Sequence, residues 1–168
     1  MKEEIRELIK RVTTATVRSF SGEKELMVNF SPNAASVSSK AVRLPMPSRG
    51  SLSEKDIARL RGTADAASLR LRLHDAHLHR NVMPSTQDAR DVFEMLEQVR
   101  VESLGSKRMA GVAHNLKDLL DIRCQEQGWD KVSHREDIPL ANGLALLVRE
   151  KLNPDGLGDI AKKAADLW

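Results

Sequence analysis

Apolar side chains recur at three- and four-residue spacing along most of this chain, and almost none of them is aromatic. Aromatic residues make up 3% of the sequence and tyrosine is missing. A core must therefore be assembled from Leu, Val, Ile, Ala and Met. Aliphatic residues at a period near 3.6 make the stripe of an amphipathic helix, whereas strands draw on aromatic and β-branched residues. The predicted class is mainly α. The 168 residues suit one domain with a real core. The expectation is a single helical domain over 1–168, with 1–49 as a helix plus a small N-terminal β-hairpin and 50–168 as a helical core.

The first helix is predicted from Lys2 to Phe20, with Ile5, Leu8, Ile9, Val12 and Val17 as its apolar positions and Ser21-Gly22 as its stop. Leu26–Phe30 and Ala41–Leu44 alternate enough to be strands of an antiparallel hairpin, with Ser31-Pro32-Asn33 and a run of serines as the connection. Pro45 and Pro47 then break regular structure. Ser53 followed by Asp56 reads as a helix start, and Ile57, Leu60, Ala64, Ala67 and Leu71 form the stripe behind it. Leu69-Arg70-Leu71-Arg72-Leu73 also alternates like a strand, which leaves the end of that helix open. Pro84-Ser85 opens a helix running to about Leu104 or Arg108. Met109 to Leu120 continue at helical spacing, Gly128 ends that helix, and Trp129 packs under its end. Pro139 opens the next, with Leu140, Leu144, Leu147, Val148 and Leu152. Asn153–Gly156 is a turn. Ile160 to Leu167 makes a last helix, and Trp168 is an exposed apolar terminus.

The helix through residue 100 carries charge beside its apolar face. Val92, Phe93, Leu96, Val99 and Leu104 define that face at about 100° per residue. Arg100 falls in its middle and Glu97 at its edge. An arginine aimed at a core needs a partner, because an unpaired buried charge is too costly. The expectation is an inward ion pair of Arg100 with Glu97 or another carboxylate. A structural salt bridge is the first reading and a partner-facing groove the second, so Glu97, Arg100 and Glu102 are the structural or interface residues.

Missing motifs narrow the chemistry. There is no Gly-Lys dipeptide, so no phosphate-binding loop, and no Gly-x-Gly-x-x-Gly or Gly-x-Ser-x-Gly. No catalytic and no cofactor-binding residue is predicted. The single Cys124 excludes an intramolecular disulfide and a cysteine-based zinc site and is expected to be buried and structural. His74, His77 and His79 form the one metal-like cluster. On a helix His74 and His77 share a face, and His79 points elsewhere. Two ligands on one face fall short of a site, so no metal site is expected, and a polar helix end accounts for these residues. His114 and His134 read as surface or capping residues.

Residues 1–49 carry nine Lys/Arg against five Asp/Glu, whereas the rest carries eighteen against nineteen. This mild basic excess, without stacking aromatics, argues against nucleic acid as a partner. No apolar run approaches the ~20 residues of a membrane span, and the N-terminus lacks an apolar signal core. With one cysteine, these features point to a cytoplasmic protein with no membrane partner.

Several segments together resemble the N-terminal region of the T subunit of aerobic cobaltochelatase, the CobT family. They are Arg61–Asp65, Leu71–Asp75 with His79, and Phe93 with Glu97–Glu102 and Gly105. Met109–Val112 with Asn115-Leu116, Pro139-Leu140, Leu146–Glu150 and Asp166-Leu167-Trp168 follow in order. The resemblance runs from about Val17 to Trp168. It implies an assembly subunit of the ATP-dependent complex that inserts Co(II) into hydrogenobyrinic acid a,c-diamide in cobalamin biosynthesis. This is a ligase forming nitrogen–metal bonds, in which the subunit is non-catalytic and the chain alone is inactive. The implied partners are the AAA+ ATPase subunit CobS and the large corrin-binding subunit CobN, in an oligomeric complex. ATP, Mg and Co(II) are used by that complex and none is bound by this chain. Family members continue with an acidic linker and a von Willebrand factor A domain that are not in this sequence, which is read either as a truncated piece or as a shortened gene product, so the expectation is the assembly role rather than complete chelatase competence. The competing readings are a free-standing His-based metal-binding protein and a generic helical protein-interaction module.

Overall fold

The computed structural model describes all residues except Met1, Asn33, Ala34, Ser48 and Arg49, and the side chain of Lys2. Asn33, in the predicted serine-rich connection, thus lies outside the described residues. Among the described residues, seven α-helices and one small sheet make a mainly α fold. The chain divides into two compact units, Met1–Leu73 and His74–Trp168.

The first unit contains α1 (Lys2–Ser21), β1 (Met27–Ser31), β2 (Ser36–Val37), β3 (Ala41–Pro45) and α2 (Glu54–Leu73). Gly22, at φ +84°, lets the chain turn away from α1. The sheet order is β1-β3-β2. β1 pairs parallel with β3, Val28 opposite Val42, and β2 pairs antiparallel with β3, Val37 opposite Val42. This corrects the expected antiparallel pairing of the two predicted strands. The missed element is β2, inside the serine-rich stretch. Ser38 closes its turn into β3, with Ser38 N donating to Ala41 O at 2.9 Å and Ser38 Oγ accepting from Ala41 N at 3.1 Å. One chain reversal makes neighbours antiparallel. Two reversals, before and after β2, leave β3 running with β1.

Val42 and Leu44 alternate inward from the central strand β3 and are buried. They join Val17, Leu26, Met46, Leu60, Ala64 and Ala67 in one core. Leu60, Ala64 and Ala67 lie at helical spacing on α2, which packs against both α1 and β3. That places α2 with the N-terminal elements, so contacts part the chain after Leu73 and not at residue 49. The capping contacts predicted at Ser53 are present: Asp56 N donates to Ser53 Oγ at 3.1 Å and Ser53 N to Asp56 Oδ2 at 2.9 Å. The alternation at 69–73 is helical, because α2 runs through Leu73. On α1 the predicted stripe is only partly used. Val17 is buried and Ile9 packs at the core edge, while Ile5, Leu8 and Val12 are exposed. Arg6 is buried instead, donating to the carbonyls of Pro47 and Gly50.

The second unit contains α3 (Ala76–Asn81), α4 (Gln87–Arg108), α5 (Ala110–Glu126), a 3-10 turn (Arg135–Asp137), α6 (Leu140–Leu152) and α7 (Asp159–Ala165). α4 packs on α5 and α6, and α7 on α5 and α6. Met109, at φ −142°, breaks the helix between α4 and α5. Cys124, Trp129, Ile138, Leu146, Leu157 and three alanines of α7 form the core. Trp129 closes the end of α5 as predicted, its N–H on the carbonyl of Cys124 at 2.9 Å after Gly128 at φ +75°. Trp168 is not exposed. Its ring packs against this core and so closely over Gly143 that a β-carbon there would fall inside the indole. No helix among the described residues is long and apolar enough to cross a membrane.

Candidate functional site

α4 carries two polar clusters, and both differ from the expected inward Arg100. Its buried residues are Val99, Val101, Glu102, Ser103 and Gly105, an arc centred on Glu102. Arg100, two residues back and so ~200° around the helix, points nearly the opposite way. Its side chain is 47% exposed, whereas that of Glu97 is 13% exposed. The reading of Arg100 as core-facing is therefore corrected. Val92, Phe93 and Leu96 are only half-buried and Leu104 is exposed, so the stripe they trace is not the deepest face of α4.

Glu102 forms a buried ion pair with Arg149 of α6. Glu102 is 3% and Arg149 8% exposed. Arg149 Nη2 donates to Glu102 Oε2, and Gln98 Nε2 donates to the other oxygen, Oε1, at 2.7 Å. Both carboxylate oxygens are thus engaged, which a buried charge requires. Sequence reasoning missed Arg149. The signal is in the sequence, because Arg149 stands three residues after Leu146 within the apolar run of α6, a charge among apolar neighbours as Arg100 is. A cavity of about 100 Å³ adjoins this pair, lined by Met95, Glu102, Cys124, Trp129 and Arg149 among others. Cys124 is fully buried, and burial pushes its thiol up to about 12. It is a packing residue, as expected.

The second cluster joins the start of the unit to the first half of α4. α2 ends at Leu73, and Asp75 caps α3 by accepting from His77 N at 3.0 Å and Leu78 N at 2.9 Å. His74 therefore lies outside α3, and the helical spacing that would pair it with His77 does not apply. His77 is exposed. His74 and His79 come together, their rings 4.7 Å apart and inclined at 69°. This corrects the predicted His74–His77 face. His74 Nδ1 lies 2.8 Å from Glu97 Oε1, and His79 Nε2 lies 2.8 Å from Glu94 Oε1. Phe93 stacks on His79 at 4.5 Å.

Arg100 grips the same glutamate from the solvent side, Nε to Oε2 at 2.7 Å and Nη2 to Oε1 at 2.8 Å. Its hydrogen bonds, ahead of that from His74, pull the Glu97 carboxyl down from 4.5 to about 2. Glu97 is thus ionised at neutral pH and accepts from both neighbours. One donor atom from each of His74, His79 and Glu97 lies within 4.8 Å of the other two. Glu94 was not singled out in the sequence. Its spacing of three from Glu97 places both acids on one face, but only the break between α2 and α3 brings histidines to it. His114 and His134 lie on the surface beside Asp118 and Asp137.

A family model described as cobalamin biosynthesis protein CobT matches residues 3–168, almost the whole chain. No solved structure matches it.

Proposed function

The chain belongs to the CobT family of cobalamin biosynthesis proteins, and from that premise we propose that it is a non-catalytic assembly subunit of the ATP-dependent aerobic cobaltochelatase. In this reading the complex inserts Co(II) into hydrogenobyrinic acid a,c-diamide. The AAA+ subunit CobS hydrolyses ATP and the large subunit CobN holds the corrin. The single observation that carries the proposal is the family match over residues 3–168.

Two features support the division of labour. The sequence has no phosphate-binding loop, whose backbone amides would cradle a nucleotide. The cavity beside Glu102 and Arg149 holds about 100 Å³, far below the ~300–1,000 Å³ of small-molecule sites, so a corrin ring does not fit there. The charged groups around that cavity serve instead to tie α4 to α6.

The test is affinity capture with purified components. Immobilised chain should retain the AAA+ subunit, and the chain alone should neither bind ATP at micromolar concentration by calorimetry nor hydrolyse it. Failure to retain either the AAA+ or the corrin-binding subunit, with the chain shown to be folded, overturns the assembly reading.

A further inference from the structure

We propose that His74, His79 and Glu97 form a binding site for one divalent transition-metal ion of the class that takes imidazole and carboxylate ligands, and that Arg100 occupies the carboxylate until the ion displaces it. The inference rests on the geometry of these side chains and stands apart from the assembly role.

The donor set is nearly assembled. One atom from each of the three residues lies within 4.8 Å of the others. Zinc bonds of ~2.0–2.2 Å in a tetrahedron bring neighbouring donors to ~3.3–3.6 Å, so small rotations about the side-chain bonds close the set. Two imidazole nitrogens and one carboxylate oxygen suit zinc, cobalt(II) or nickel, whereas magnesium and calcium prefer shells of oxygen. Three protein ligands leave a fourth position open.

The surroundings are those of a supported site. The side chains of His74, His79 and Glu97 are 14%, 8% and 13% exposed. Glu94 holds one nitrogen of His79 and Phe93 covers its ring. Carboxylates that orient ligating histidines are a regular part of metal sites. Binding requires neutral imidazoles and an ionised carboxylate, so the ring nitrogen that takes the ion carries no proton and the ring's single N–H stands on its other nitrogen, the contact of His74 Nδ1 with Glu97 Oε1 giving way as the ion enters.

Arg100 is the competitor. It takes both oxygens of Glu97, and a guanidinium and a dication repel each other at such range. Its side chain is 47% exposed and can turn into water. Removing this arginine should therefore strengthen metal binding, an effect that a purely structural hydrogen-bond cluster does not predict.

The experiment titrates the purified full chain with Zn²⁺ against a chromophoric chelator and repeats it with Co²⁺, whose visible absorption reports nitrogen and oxygen ligation. The expected result is one ion per chain, undisturbed by excess Mg²⁺. Glu97→Gln and His79→Ala should each weaken binding ~100-fold or more and Glu94→Gln ~10-fold, while the exposed His77→Ala leaves it unchanged. Because His79→Ala removes a buried side chain, the decisive variant is Arg100→Gln, expected to bind ~10-fold more tightly, since that is the scale of a single group supporting a ligand. Absence of a bound equivalent in the folded chain overturns the site, as does wild-type affinity in Glu97→Gln. Unchanged or weaker binding in Arg100→Gln overturns the competition.

Discussion

At the scale of single residues, Arg149 on α6 and Arg100 on α4 behave differently. Arg149 is buried against Glu102, and truncating it leaves a desolvated carboxylate with only Gln98 for company. Arg149→Ala should cost ~3–5 kcal/mol and lower the melting temperature by on the order of 10 °C. Replacing both partners with methionine should recover much of that loss, because no charge is then left buried. Arg100→Ala removes a half-exposed side chain and leaves the partly buried Glu97 with its His74 contact, so it should cost ~1 kcal/mol, measured by the same thermal melts. A large loss at Arg100 with none at Arg149 would invert this assignment. Cys124 offers a second check. Its thiol is pushed up to about 12 and fully buried, so alkylation of the native chain should be slow and become fast only in denaturant. At this scale the sequence was legible in kind but not in place. It called for a buried ion pair on the helix through residue 100, and there is one. Choosing Arg100 over Glu102 followed from reading the half-buried Val92, Phe93 and Leu96 as the innermost face. The partner, forty-seven residues away in sequence, is fixed by packing between helices.

Among the elements, helices were readable because each carries its own signals. Ser53 and Asp56 cap α2, Gly22 and Gly128 stop α1 and α5 at positive φ, and Pro139 stands at the start of α6. Ser53→Ala should cost ~1 kcal/mol. The Asp56 carboxyl is held below its ordinary value of 3.8, chiefly by its hydrogen bonds with Ser53. Its contribution is therefore complete well above that pH and lost as the pH falls through the lowered value, and Ser53→Ala should flatten this part of an acid titration followed by circular dichroism. A cap from outside the element could not be read. Asp121 of α5 accepts from Ala161 N at 3.0 Å in the first turn of α7, so Asp121→Ala should cost ~0.5–2 kcal/mol and fray the C-terminal helix. The sheet was least legible. β2 has two exposed residues, too few for alternation to register, and without it the parity of chain reversals is wrong. The histidine cluster was hidden by the same kind of break. Asp75 ends the helical register, and a spacing argument carried across it pairs the wrong rings.

On the scale of the whole molecule, the chain forms two units, each with its own core. All the charged and polar contacts argued for α4 lie within the second. A fragment of residues 74–168 should accordingly be helical and melt cooperatively, and it should keep the His74–Glu97 contact by nuclear magnetic resonance. A fragment without cooperative unfolding would show that the second core does not stand alone. The central claim is that this CobT-family chain works by assembling with an AAA+ partner, and sedimentation velocity tests it most directly. Fluorescently labelled chain is titrated with the purified AAA+ subunit in ATP and magnesium. The account predicts a saturable shift of the label to the rapidly sedimenting boundary, retained in Arg100→Gln. Label that sediments as the chain alone at every partner concentration, while circular dichroism shows it folded, would contradict it.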